Sequence, residues 1–256
     1  MRELYLNSVG LSNWSKGNEW VGNRCRREQL ETDAWLAQTS SRKVENLGLK
    51  RVVRILPFLA VGLLGLLALW IALAPAEARL GNVIKLVYVH GALVWTGLAT
   101  FSAAGALGLA ALVLRRPVWY QGTRAAGLAA IIVWIAYVIS SMAVTGLTWG
   151  QVVAWNEPRV RATALILGAA ILLSLVSRLI DHPDFTAAVN LMMGIVPWIV
   201  VQQAGVIRHP VDPIGGSEST AIQSYYLLIV LTIGALAATL VAWLWSRAAL
   251  GEQDQP

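Results

Sequence analysis

The sequence lacks most of what soluble chemistry is built from. Its single cysteine, Cys25, is one residue in 256, and there is no CxxC or CxxCH. It can close no intrachain disulfide, and it is neither a c-type cytochrome nor a thiol–disulfide oxidoreductase of the usual kind. Charge is scarce too: 13% of residues are Asp, Glu, Lys or Arg, against about 25% in a soluble domain. There are only three histidines, His90, His182 and His209. No catalytic nucleophile and no pair of carboxylates stands out, so no enzyme activity is expected. The first 50 residues are polar throughout, with no short apolar core before a small-residue cleavage site, so no secretory signal is expected.

What the chain has in excess is apolar side chain, 57% of its residues. The excess is clustered into runs near the ~20 residues that cross a bilayer. Six spans are expected, at about 55–73, 91–114, 125–147, 162–180, 185–206 and 225–245. The fold class is therefore an all-α integral membrane protein, a bundle of six transmembrane helices. Its organisation is a polar tail over 1–50, a membrane domain over 51–247 and a polar end over 248–256. Small residues such as Ser102, Ala103, Ala104, Gly105 and Gly108 let helices approach closely in lipid. Pro197 should bend the fifth span by removing a backbone bond.

Lys and Arg near the membrane set the orientation. With the N-terminus inside, inner segments hold Arg42, Lys43, Lys50, Arg51, Arg54, Arg115, Arg116, Arg124, Arg178 and Arg247. Outer loops hold Arg79, Lys85, Arg159, Arg161 and Arg208. The imbalance places both termini in the cytoplasm and the protein in the plasma (inner) membrane. The same basic loops account for the formal charge of +6 without nucleic acid; membrane lipids are the expected surroundings.

In that topology His90 ends the second span on the outer face, and His209 follows the fifth span on the same face. His182 lies in the short inner turn and reads as an ordinary loop residue. Two neutral imidazoles can supply both axial ligands of a haem iron. Metal–imidazole bonds of about 2 Å require their nitrogens to converge across one iron. Between the third and fourth spans lies a loop, 148–161, holding Trp149, Gly150, Trp155, Asn156, Glu157 and Arg159. Aromatic faces there could flank a planar macrocycle, Gly150 permits a bend, and arginine suits a propionate. Equally, tryptophan is common at membrane interfaces whatever a protein's function, because its amphipathic ring suits the headgroup level.

The order of these pieces resembles a known family. Leu86-Val87-Tyr88-Val89-His90 with Trp95, then Thr148-Trp149-Gly150 through Arg159, then His209-Pro210 are similar to the haem exporter protein C (CcmC-type) family of the cytochrome c assembly superfamily. The resemblance covers about residues 55–245. It implies six helices and haem b bound on the outer face by His90 and His209, with Trp149, Gly150, Trp155 and Arg159 around the macrocycle. It also implies work with ABC-type transporter subunits and a haem chaperone of cytochrome c maturation. The chain departs from the family's loop, which is richer in aromatics: Val153 stands where a further Trp is expected, and Asn156 where an Asp is expected.

Two other classes compete. The same histidine pair suits a haem-bearing subunit of a membrane respiratory complex, although two ligands at one end hold one haem at most. A small-solute transporter would use polar groups inside a span, for which Asn190, Gln202 and Gln203 in the fifth are the candidates. No charged residue lies deep in any span, and no internal repeat is visible.

Overall fold

A computed structural model describes residues 47–78, 80–207 and 214–253. The chain divides into two units, Met1–Lys50 and Arg51–Pro256. Of the first, only the opening residues of a helix are described, so the expected polar tail otherwise lies outside the described residues, as do residues 254–256. Six helices are each long and apolar enough to cross a membrane. They are α1 (Leu47–Leu73), α2 (Ile84–Leu114), α3 (Pro117–Trp149), α4 (Pro158–Ile180), α5 (Pro183–Gln203) and α6 (Thr220–Gln253). The described residues hold no strand, only an isolated bridge between Glu77 and Gly81.

The helices run beyond the apolar stretches that mark them in the sequence. Hydropathy marks the part that lipid touches, whereas helix ends are set by caps. Three helices begin on a proline, Pro117, Pro158 and Pro183. A proline suits the first helical position, because its missing N–H would be unpaired there anyway. Just before two of these starts, Arg115 and Asp181 take left-handed conformations that end α2 and α4. The α2–α3 and α4–α5 turns are therefore very short, Arg115–Arg116 and Asp181–His182, and each of these helix pairs runs antiparallel. α6 continues through 248–253, into the stretch that reads as a polar tail.

The turn after α1 is held by its own backbone. Gly81 N–H donates to the Glu77 carbonyl at 2.7 Å, and Leu80 N–H donates to Glu77 Oε2 at 2.9 Å. Lys85 Nζ then reaches back to the Ala72 carbonyl at 2.8 Å, a lysine satisfying an orphan acceptor at a helix C-terminus. Tyr88 hydroxyl donates to the Pro75 carbonyl at 3.2 Å. These bonds set where α2 starts.

α2 is the central helix, packed against α3, α5 and α6, while α4 lies mainly on α5. One apolar core joins Leu98, Phe101, Ala130, Trp134, Ile166, Val189 and Met193 across α2 to α5. A second joins Ile84, Tyr88 and Ala92 of α2 to Ile214, Ile222, Ile229 and Ile233. Small residues let α2 and α5 touch backbone to backbone. A Cβ built on Gly105 would lie 2.9 Å from the Gly194 Cα, and one on Gly108 would lie 2.6 Å from the Ala187 carbonyl oxygen. Trp198 Nε1 adds a bond to Ser102 Oγ at 2.8 Å. Large apolar side chains such as Leu59, Leu109, Ile139 and Leu172 face outward, as they do where the solvent is lipid. α5 continues as a helix through the buried Pro197.

Candidate functional site at the His90 end

His90 lies within α2, near the end of its second turn, and not at the helix terminus where the apolar run places it. That leaves it half-buried among neighbours. Its Nδ1 is 3.2 Å from Ser140 Oγ of α3. Its ring stacks on Tyr137, with centroids 4.9 Å apart and planes 29° from parallel.

The hydrogen-bond direction follows from proton counting. Ser140 donates its single hydroxyl proton to the Tyr137 carbonyl at 2.7 Å. Towards His90 it therefore accepts, and Nδ1 carries the proton. In the neutral ring the lone pair then belongs to Nε2. That tautomer, its orientation set through the other nitrogen, is the one metal-ligating histidines adopt.

The cluster continues into α4. The buried Tyr137 hydroxyl accepts a bond from Thr163 Oγ1 at 3.3 Å. Trp134 Nε1 donates to the Thr163 carbonyl at 3.2 Å, and the Trp134 ring packs edge-on against Tyr137 at 4.8 Å. Arg159 stands four residues before Thr163, on the same face of α4. Its Nε is buried without a hydrogen-bond partner.

The tryptophan loop is fastened to α3. Trp149 is the last residue of that helix, and Gly150 caps it with φ +67°, a conformation glycine takes without strain. This is the bend the sequence suggests. Thr145 Oγ1 donates to the Val152 carbonyl at 2.8 Å, and Gln151 N–H donates to the Thr145 carbonyl at 3.4 Å. Ala154 is buried, whereas Trp155 is 59% exposed. The loop thus presents Trp155 outward and holds Trp149 half-buried.

His209 lies outside the described residues, together with its neighbours 208–213. Both flanks of that stretch are described, and both stand at the His90 end. Ile207 N–H donates to Glu157 Oε1 at 3.1 Å. Ile214 is buried in the core that holds Tyr88 and Ala92. Glu157 itself is 1% exposed; it ties the tryptophan loop to the α5–α6 connection.

Ser140, Tyr137 and Thr163 are the residues of this cluster that sequence reasoning passes over, and it names Glu157 only as a loop residue, without its bond to Ile207. Ser140 is 50 positions from His90, and no spacing rule connects them. Of the polar groups in α5, Asn190 donates its amide to the Thr123 carbonyl and hydroxyl at 3.0 and 3.1 Å, a packing role. Gln202 and Gln203 are exposed in the last turn, not at mid-helix. His182 caps the start of α5 through its backbone, accepting from Thr186 N–H at 3.2 Å.

No protein-family model matches this sequence, and no curated protein matches it either.

Proposed function

We propose that this protein binds haem b at the end of its bundle where His90 stands, and presents it at the outer face of the inner membrane for c-type cytochrome assembly. The observation that carries the reading is the Ser140–Nδ1 bond, which assigns the His90 lone pair to Nε2. An imidazole turned and protonated in this way suits iron ligation, and a solvent-exposed interfacial histidine has no need of it.

The residues present fit the group. His90 and His209 would hold its iron; Ile207 and Ile214, the described residues on either side of 208–213, both stand at the His90 end. The unpartnered Arg159 Nε is a donor suited to a propionate. Trp149 and Trp155 would offer aromatic surface to the macrocycle, with Gly150 turning the chain between them. Bound haem supplies a metal centre that needs two nitrogen ligands; the chain's part is to hold it and release it. Ser140 and Tyr137 fix the His90 ring, and the exposed Trp155 offers a surface to an acceptor. ABC-type transporter subunits and a haem chaperone are the partners this role calls for.

The test is the absorption spectrum of the purified protein, with and without reductant. A spectrum of six-coordinate haem that is absent from the His90→Ala/His209→Ala variant supports the reading. An unchanged spectrum in that variant removes it. Spectral change driven by quinol, with c-type cytochromes unaffected, would instead assign the haem to a respiratory complex.

A further inference from the structure

At the opposite end of the bundle, α3, α4, α5 and α6 enclose a half-open cavity of about 890 Å³. Ligand pockets span about 300–1,000 Å³, so it is large for packing slack. Its chemistry is graded. Arg124 and Arg178 line it and are exposed at the rim. Ile131 lies seven residues further along α3 than Arg124, about 10 Å deeper, and lines it with Met193. Ile131 and Met193 belong to the apolar core. The cavity is therefore cationic at the mouth and apolar within.

Two further features point to an anionic head group. Ser177 also lines the cavity; it is 6% exposed, and its hydroxyl has no hydrogen-bond partner. The first residues of α3 and α5, Pro117 and Pro183, border the space, and helix N-termini favour anions. The charged residues that line the cavity are Arg124 and Arg178; Asp184, which accepts a hydrogen bond from the Tyr120 hydroxyl, and Asp181 at the end of α4 are not among its lining residues, so the lining itself is cationic.

We propose that this cavity binds one anionic phospholipid from the leaflet at that end. Its phosphate lies between Arg124 and Arg178 and accepts from Ser177, and an acyl chain runs past Ile131 and Met193. The inference is independent of the haem reading. The full-length protein, delipidated in detergent, is titrated with phosphatidylglycerol or phosphatidylcholine of the same chains and followed by native mass spectrometry. One phosphatidylglycerol per protein is expected, in preference to phosphatidylcholine. Arg124→Gln/Arg178→Gln should bind it about thirty-fold more weakly, as expected for loss of two surface cations, while Arg54→Gln should bind as the parent does. Ile131→Trp should displace the lipid with both arginines intact, its fold checked by circular dichroism. Equal retention of both lipids, unaltered binding in the arginine variant, or full displacement by inorganic phosphate would each overturn the proposal.

Discussion

Glu157 and Ile207 stand 50 residues apart in the chain and are joined by one hydrogen bond, from the Ile207 N–H to Glu157 Oε1 at 3.1 Å. The carboxylate is almost wholly buried, so this bond carries more weight than a surface contact. It couples the tryptophan loop to the segment that leads to His209. The haem site proposed above draws on both stretches, and this bond joins their described parts at one end of the bundle.

Removing that tie should loosen both loops. Glu157→Ala leaves the Ile207 N–H unpaired and should destabilise the protein by about 1–3 kcal/mol. Glu157→Gln keeps an acceptor oxygen and should lose less. Thermal unfolding of the purified variants measures both, and faster hydrogen exchange at the Ile207 amide should accompany the alanine change. Equal stability of the two variants would show that the acceptor at Glu157 contributes nothing.

Ser140→Ala deletes the group that orients His90 without touching the ligand. Partners of this type typically contribute 10–100-fold to metal affinity. Haem titration into apo-protein should show a weakening of about that size, against full loss for His90→Ala. A Ser140→Ala titration that overlays the parent would mean the ring is held by Tyr137 stacking alone.

The α2–α5 contact should be intolerant of any side chain at Gly105. Gly105→Ala puts a Cβ 2.9 Å from the Gly194 Cα, and backbone cannot swing aside as a long side chain can. A loss of about 1–3 kcal/mol is expected, read as a lowered midpoint of thermal unfolding. Gly168, with nothing within 4 Å of its Cβ position, is the control, and Gly168→Ala should be tolerated.

Trp155 separates folding from hand-over. Its ring is mostly exposed, so Trp155→Ala should alter stability by no more than about 0.5 kcal/mol and leave the haem spectrum in place. On the proposed function the yield of c-type cytochromes in cells should nevertheless fall, because that reading assigns the exposed aromatic to the acceptor's surface. Undiminished yield would take Trp155 out of the transfer step.

The architecture was legible in the sequence because lipid leaves the backbone few choices. A run of about 20 apolar residues in a membrane must satisfy its own N–H and C=O groups, and a helix does so within one segment. Six runs therefore meant six helices before any contact was known. The small residues of α2, among them Gly105, announced close packing for a similar reason: side-chain volume sets how near two helices can come. The bend at Gly150 was legible as well, since glycine reaches the left-handed region without strain.

Helix ends and the site's supporting residues were not. Hydropathy sees only the lipid-facing core, so α2 begins at Ile84 and not at Gly91, which moves His90 inside the helix and within reach of α3. Which residue meets His90 depends on how α2 and α3 rotate about their axes, and that rotation is set by packing, including the fit of Gly97 against Trp134. Residue types and spacing alone could nominate His90 as a ligand. Only the fold could bring Ser140 to its Nδ1, because hydrogen bonding acts across about 3 Å of space and is indifferent to the 50 residues of chain between them.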